Sequence, residues 1–183
     1  MVDRKNIKKY ALISVYNKSK LRYLCANLKN QKISIISTGS TCEKIKKLGF
    51  KCTDISSITK FKEILDGRVK TIHPKIHASL LFKRNSKKHI ATFNKLQFPI
   101  IDFVIVNLYP FEKTITSSSS HEKILEMIDI GGTTLLRSAS KNFESVTTIS
   151  SPDDYEIFVE NLIKHSGKTS LDFRAKMAFN AFK

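Results

Sequence analysis

Lys9-Tyr10-Ala11-Leu12-Ile13-Ser14-Val15 is a short apolar run rich in branched side chains, which predicts a strand buried on both faces. Tyr16-Asn17-Lys18-Ser19 follows as a turn, and Leu21, Leu24, Cys25 and Leu28 then recur at helical spacing. Ile33 to Ser37 reads as a second strand. Thr38-Gly39-Ser40-Thr41 joins it to a helix carrying Ile45 and Leu48, which Gly49 stops before a short extended piece from Lys51 to Ile55. This alternation of strand, turn and helix predicts an α/β domain with a mostly parallel sheet.

Further along, Ser57 to Leu65 reads as a short helix. Ile76, Leu80 and Leu81 continue as helix after Pro74, and His89 to Leu96 forms another. Ile100 to Leu108 is the most apolar strand and is assigned to the centre of the sheet. Thr114 to Ser120 reads as a Ser/Thr-rich connection and His121 to Ile128 as a helix. Gly131-Gly132 opens a helix from Thr133 to about Lys141. Val146 to Ile149 is the last strand. Ser151-Pro152-Asp153-Asp154 starts a helix whose apolar face holds Phe158, Leu162 and Ile163, with Pro and acidic residues in its first turn.

At 183 residues the chain is long enough for one well-buried domain. No apolar run approaches the ~20 residues that span a bilayer. Met1 to Asn6 is basic but leads into no signal-type apolar core, so a cytoplasmic location is expected. Cys25, Cys42 and Cys52 are too few and too irregularly spaced for a disulfide framework or zinc motif, and Cys25 is expected in the core. The formal charge of +16 comes from lysines scattered through almost every segment, with no basic tail and no aromatic interleaving. It therefore predicts no specific nucleic-acid surface.

Ligands of parallel sheets bind beyond the carboxyl ends of the strands. Ser14, Lys18, Thr38, Gly39, Ser40 and Thr41 fall there, and the Thr38–Thr41 turn can offer N–H groups and hydroxyls to a phosphate or simply cap its helix. Asp66-Gly67-Arg68-Val69-Lys70-Thr71-Ile72-His73-Pro74 sets a guanidinium, an ammonium, a hydroxyl and an imidazole between a flexible Gly and a rigid Pro. It reads either as an anion clamp or as a solvated basic loop. Asn107 and Tyr109 suit a planar amide or base, or a turn and a half-buried ring. Asp129 precedes the Gly pair, while Arg137 and Lys141 share one helix face. His73 and His77 are four apart with no third ligand at usable spacing, so no metal site is assigned.

Five segments, taken in register, resemble the IMP cyclohydrolase family: Ala11–Val15, Asp66–Pro74, Val106–Phe111, Ile128–Gly132 and Arg137–Asn142. In that family this part is the N-terminal domain of a bifunctional purine biosynthesis protein whose C-terminal part is AICAR formyltransferase. The resemblance implies a three-layer methylglyoxal synthase-like α/β domain with a mostly parallel central sheet, over residues 1–169. It implies a homodimer, a nucleotide substrate and product (a formylated ribotide and IMP), and neither metal nor organic cofactor. By the same resemblance Lys141 is the proton donor and acceptor, Asp129 lies beside the reacting amide, and N–H groups around Lys70 and Thr71 stabilise the oxyanion. Lys18 and Thr38 to Thr41 correspond to phosphate-binding elements, and Ser14 is a substrate contact beside them. Val106 through its backbone and Asn107 correspond to base contacts, with Tyr109 and Ile130 in the same pocket. Arg68, Val69 and Arg137 are further substrate contacts, and Arg68, Lys70 and Arg137 are the cationic neighbours expected to tune Lys141. Residues 170–183 resemble the start of the helix leading to the formyltransferase domain, which is expected fused or on a separate chain.

Two departures stand out from the family pattern. The turn after the first strand usually reads Ser or Thr, Asp, Lys and here is Tyr16-Asn17-Lys18, and the usual Gly-Gly-Thr is Gly39-Ser40-Thr41. Weaker substrate binding is the expected consequence. Methylglyoxal synthase, a nucleotide-sensing regulatory domain and a basic nucleic-acid binder are the competing readings.

Overall fold

The computed structural model describes residues 8–117 and 120–182. The basic stretch Met1 to Asn6, Ser118 and Ser119 of the Ser/Thr-rich connection, and Lys183 lie outside these residues. In chain order the elements are β1 (Lys9–Val15), α1 (Leu21–Asn30), β2 (Ile33–Ser37), α2 (Gly39–Lys47), β3 (Thr53–Asp54), α3 (Ile55–Thr59), α4 (Pro74–Leu81) and α5 (Lys87–Leu96). There follow β4 (Ile101–Asn107), α6 (Phe111–Ser117), α7 (His121–Glu126), α8 (Ile130–Lys141), β5 (Thr147–Ile149), a 3-10 turn (Pro152–Asp154), α9 (Tyr155–Lys164) and α10 (Leu171–Asn180).

The five strands form one sheet in the order β3-β2-β1-β4-β5, with every pairing parallel. The centre is therefore β1; the Ile100–Leu108 run lies beside it, between β1 and β5. Alternation along β1 sends Ala11, Ile13 and Val15 to one face and Leu12 to the other. The first face is covered by Leu21, Leu24, Cys25 and Leu28 of α1, Ile45 of α2, and Phe158 and Leu162 of α9. The second is covered by Ile76 and Leu80 of α4 and by Leu135, Leu136 and Ala139 of α8. Helices on both faces of a parallel sheet make the expected three layers. Burial pushes the Cys25 thiol up to about 12, as suits a core residue.

Three local expectations are corrected. The helix expected over Ser57–Leu65 is only Ile55–Thr59: Lys60 takes a left-handed φ of 60° and ends it, and Phe61, Ile64 and Leu65 stay exposed. Thr114 to Ser117 is helical, and the hydroxyls of Thr114, Thr116 and Ser117 are accommodated within it by donating back to carbonyls of the preceding turn. The helix expected from Thr133 begins at Ile130, capped by Asp129.

The edge strand β5 is covered by α10, whose Met177 and Ala178 are buried. Arg174 donates to the carbonyls of Phe143, Glu144 and Thr169, so this helix is fastened to the domain rather than merely leaving it. A buried ion pair that the sequence did not announce joins Arg84 to Asp102 at 2.7 Å, and the same guanidinium donates to the Ile101 carbonyl at 2.7 Å. Asp102→Ala removes that carboxylate from a largely buried ion pair and is expected to lower stability by about 3 kcal/mol in urea unfolding.

Candidate functional site

The strand order reverses direction between β1 and β4, since β2 lies on one side of β1 and β4 on the other. A crevice opens beyond the carboxyl ends of the two strands at such a point. A cavity of about 470 Å³ occupies it, walled by the end of β1, the start of α2, residues 66–71, Asn107 and Tyr109, and residues 125–132.

One wall is the start of α2. Thr38 is its N-cap but makes no side-chain cap bond, and helix geometry leaves the Gly39 and Ser40 N–H groups without intrahelical partners. Gly39 has a φ of +34°, which favours glycine. Ser14 Oγ and Thr38 Oγ1 lie 3.0 Å apart. The Thr41 hydroxyl turns inward instead, accepting from Val15 N and donating to Val15 O, and so pins α2 to β1. Lys18 reaches back to the Tyr16 carbonyl at 3.4 Å. Asn107 grips the same turn: its Oδ1 accepts from Asn17 N at 2.7 Å and its Nδ2 donates to Asn17 O at 3.0 Å. The unusual Tyr16 sits edge-on to Tyr109, with ring centroids 5.4 Å apart.

The opposite wall is a hairpin-like turn. Ile64 and Val69 exchange both backbone hydrogen bonds, and Leu65, Asp66 and Gly67 between them all have positive φ. The turn presents Arg68 and Lys70 to the cavity. Among the described residues the N–H groups of Lys70 and Thr71 have no protein acceptor. Arg68 forms an ion pair with Glu126 of α7.

The third wall is the start of α8. Asp129 Oδ1 accepts from Gly132 N at 2.6 Å, a side-chain N-cap. A Cβ at Gly131 would lie 2.7 Å from Thr71 Oγ1, and one at Gly132 would lie 2.5 Å from Asp129 Oδ2 and 2.8 Å from Leu108 Cδ2. The Gly pair is thus a close-approach device, letting the Thr71 segment and the capping carboxylate fold onto the helix end. Burial pushes the Tyr109 phenol up, helped by the Asp129 charge and by Tyr16.

Behind this wall, His77 Nδ1 lies 2.9 Å from Ser138 Oγ, tying α4 to α8. Burial lowers its pKa from the usual 6.5, opposed by a hydrogen bond to the Thr71 backbone. His73 Nδ1 accepts from Lys75 N, capping α4.

The structure therefore gathers Ser14, Lys18, Thr38, Ser40, Thr41, Arg68, Lys70, Thr71, Asn107, Tyr109, Asp129 and Ile130 around one cavity. Gly39 supplies backbone beside it. Val69 is held in the bridge to Ile64, and Val106 is buried in β4 beside Ser14 of β1. Arg137 and Lys141 do not line it. Arg137 stacks on Phe182, with its guanidinium carbon 4.4 Å from the ring centroid. Lys141 is the exposed last residue of α8, about 18 Å along the axis from Asp129. Within one chain, Arg68 and Lys70 line the cavity at the other end of α8 and are consequently not the cationic neighbours of Lys141 that the sequence suggested. Arg137, by contrast, lies one turn before Lys141 on the same helix face. Sequence reasoning missed Glu126, Leu125 and Ile128, because an acid and two apolar residues at the end of a short helix and just beyond it carry no mark of a cavity.

A family model described as "MGS-like domain" matches residues 20–134, and one described as "AICARFT/IMPCHase bienzyme" matches residues 139–183. The bifunctional purine biosynthesis protein PurH of Clostridium kluyveri is 45% identical over 172 residues, covering 94% of this chain and 34% of that protein. PurH of Caldicellulosiruptor saccharolyticus is 45% identical over 175 residues, covering 95% and 34%. PurH of Bacteroides thetaiotaomicron is 41% identical over 182 residues, covering 100% and 36%. The chain thus spans about a third of the length of these relatives. A solved structure titled "Crystal structure of ForH" superposes with a TM-score of 0.84 at 26% identity, covering 96% of this chain and 92% of that one.

Two outcomes follow from the third wall. Gly132→Ala forces its methyl into Asp129 and Leu108 and should lower stability by about 1–3 kcal/mol, read by thermal or urea unfolding. Because His77 is held below 6.5 in the folded state, the unfolded chain binds more protons as pH falls from 6.5 towards the lowered value. Stability should therefore fall with pH through that window, and His77→Gln should flatten the slope.

Proposed function

The chain belongs to the MGS-like domain family, and from that premise we propose that it is the IMP cyclohydrolase part of a bifunctional purine biosynthesis protein, closing the second purine ring of 5-formamidoimidazole-4-carboxamide ribotide to give IMP and water. The observation that carries this reading is the convergence of three sets of backbone donors on one cavity: the start of α2, the Lys70–Thr71 turn and the Asp129-capped start of α8. The match of residues 139–183 to the bienzyme family supports the choice of reaction among members of this fold.

In this reading the ribotide phosphate lies on the α2 N-terminus, where the N–H groups of Gly39 and Ser40 and the hydroxyls of Ser14 and Thr38 meet it, with Lys18 alongside. The imidazole carboxamide lies between Tyr109, Ile130 and the β4 end. Asn107 acts through the Asn17 turn that it grips, and Val106 through its backbone. The carboxamide nitrogen attacks the formyl carbon, a C–N bond forms, and negative charge gathers on the former formyl oxygen. The Lys70 and Thr71 N–H groups are placed to receive that charge, a kind of stabilisation that costs a few kcal/mol when one donor is removed. The attacking nitrogen gives up one proton and the oxygen takes one up, giving a carbinolamine. The former formamide nitrogen then loses its proton and forms a C=N bond as the hydroxyl takes up a proton and leaves as water, so atoms and charge balance without a redox partner. Asp129 orients the amide with the carboxylate oxygen left free by its capping bond.

Lys141 is the proposed proton carrier. Its place about 18 Å along α8 from Asp129 exceeds the reach of a lysine side chain, so it serves a second copy of the chain. We assign a two-fold homodimer in which Lys141 and Arg137 of each copy complete the other's cavity, acting in the cytoplasm. The formyltransferase that supplies the substrate belongs to the rest of such a bifunctional protein, or to a separate chain.

Turnover of the formylated ribotide to IMP, followed by absorbance with no metal or folate added, is the direct test. Lys141→Ala is expected to lose about 10²-fold or more in turnover while keeping its fold. Mixing Lys141→Ala with Asp129→Asn should restore about one quarter of wild-type turnover through mixed dimers that hold one intact site. No restoration would remove the shared site, and no turnover by the wild-type protein would sink the cyclohydrolase reading.

A further inference from the structure

Glu63 is an acid that the proposed reaction does not use. It lies in the strap between α3 and the Ile64–Val69 bridge, with its side chain at the rim of the cavity. A Cβ placed at Gly39 would be 3.8 Å from Glu63 Oε2. One placed at Gly67 would be 3.7 Å from the same oxygen and 3.6 Å from Lys70 Nζ. The carboxylate is thus beside the first residue of α2 and across Gly67 from the Lys70 ammonium.

The start of α2 needs a negative charge and lacks one of its own. Its first turn holds no acidic residue, and its N-cap makes no side-chain bond. A carboxylate brought from elsewhere satisfies the partial positive charge of a helix start. A phosphate does so with more charge and more acceptor atoms.

The strap carrying Glu63 is tied on either side of it and exposed between the ties. Thr59 Oγ1 bonds both the N–H and the carbonyl of Phe61, the Phe61 ring centroid lies 6.3 Å from that of His73, and Ile64 pairs with Val69. Phe61, Ile64 and Leu65 are exposed, and Lys60, Leu65 and Asp66 hold left-handed φ angles of 60°, 54° and 54° that disfavour residues with a β-carbon. Lys62 and Glu63 between these ties are exposed, and a short stretch with few buried apolar contacts moves at low cost.

We propose that Glu63 is an internal competitor for the substrate's phosphate: its carboxylate sits at the rim of the α2 cradle, and an incoming phosphomonoester dianion displaces it by turning residues 62–63 outward while the Ile64–Val69 bridge stays closed. The inference rests on the reading of the Thr38–Thr41 turn as the phosphate site. It makes Glu63 a determinant of affinity rather than of the chemical step. The carboxylate offsets part of the attraction of α2 and Lys70, so that weakly charged ligands gain little by entering and a dianion gains more.

The test is the dissociation constant of inorganic phosphate, and separately of IMP, measured by ligand-observed NMR for the wild-type protein, Glu63→Gln and Glu160→Gln. Glu160 is an exposed acid on α9, and its replacement changes net charge by the same amount. Glu63→Gln is expected to tighten both ligands about two- to fivefold. Glu160→Gln is expected to shift them clearly less. The KM for the ribotide should fall in Glu63→Gln with kcat held. Unchanged or weaker binding in Glu63→Gln, or an equal shift in Glu160→Gln, overturns the proposal. Tighter phosphate binding without ribotide turnover would leave the competitor standing and sink the cyclohydrolase reading, whereas turnover with unaltered affinities would do the reverse.

Discussion

The parallel pairing of β1 with β4 is the constraint on which the rest of the molecule depends. Its register sets Ser14 beside Val106 and Val15 beside Asn107, so the two strands end level with one another. Because β2 and β3 lie on one side of β1 and β4 and β5 on the other, the connections leaving the two strands diverge. The backbone polar groups and side chains at those ends then face an open crevice instead of a neighbouring strand. The buried faces of β1 hold this geometry, since shifting the strand by one residue would turn Leu12 into the layer built for Ala11 and Ile13.

The cavity is made largely of backbone. Two helix starts and one tight turn contribute N–H groups, and the side chains nearest them mainly hold that backbone in place. Thr41 ties α2 to β1, Asn107 grips the Asn17 turn, Asp129 caps α8, and Gly131 and Gly132 let Thr71 and Asp129 approach. Such donors are preorganised, which is the property that stabilises charge developing during a reaction. The charged side chains around the cavity are balanced: Lys18, Arg68 and Lys70 face Asp66, Glu126 and Asp129. The net charge of +16 therefore belongs to the surface at large and not to this crevice.

Helix α8 links the crevice to the rest of the fold. Its first turn forms a wall of the cavity, its apolar face packs on the sheet through Leu135, Leu136 and Ala139, and its far end is held by Asn142, which donates to the Leu80 and Phe82 carbonyls at the end of α4. A helix of this length sets its two ends about 18 Å apart. Arg137 and Lys141 lie on the part of it that does not line the cavity.

Much of this was legible in the sequence. The apolar runs at Lys9–Val15, Ile33–Ser37 and Ile100–Leu108, separated by helical periodicities, determined a parallel α/β sheet, because burial on two faces demands side chains of that kind at every position. Turn and cap residues such as Gly39, Pro74, Asp129 and Gly131-Gly132 marked the strand ends and helix starts where the cavity lies. The failures have a common cause. Helix α3 stops at Thr59 and β1 takes the centre of the sheet because of what each segment packs against, which no local pattern encodes. The Glu126–Arg68 pair, the Arg84–Asp102 pair and the nearness of Glu63 to α2 join residues far apart in the chain, so their spacing gives no signal. The same holds for Lys141: the sequence supplied its chemical type and its helix, while its distance from the cavity follows only from the rise of α8 and the direction in which the tertiary structure points it.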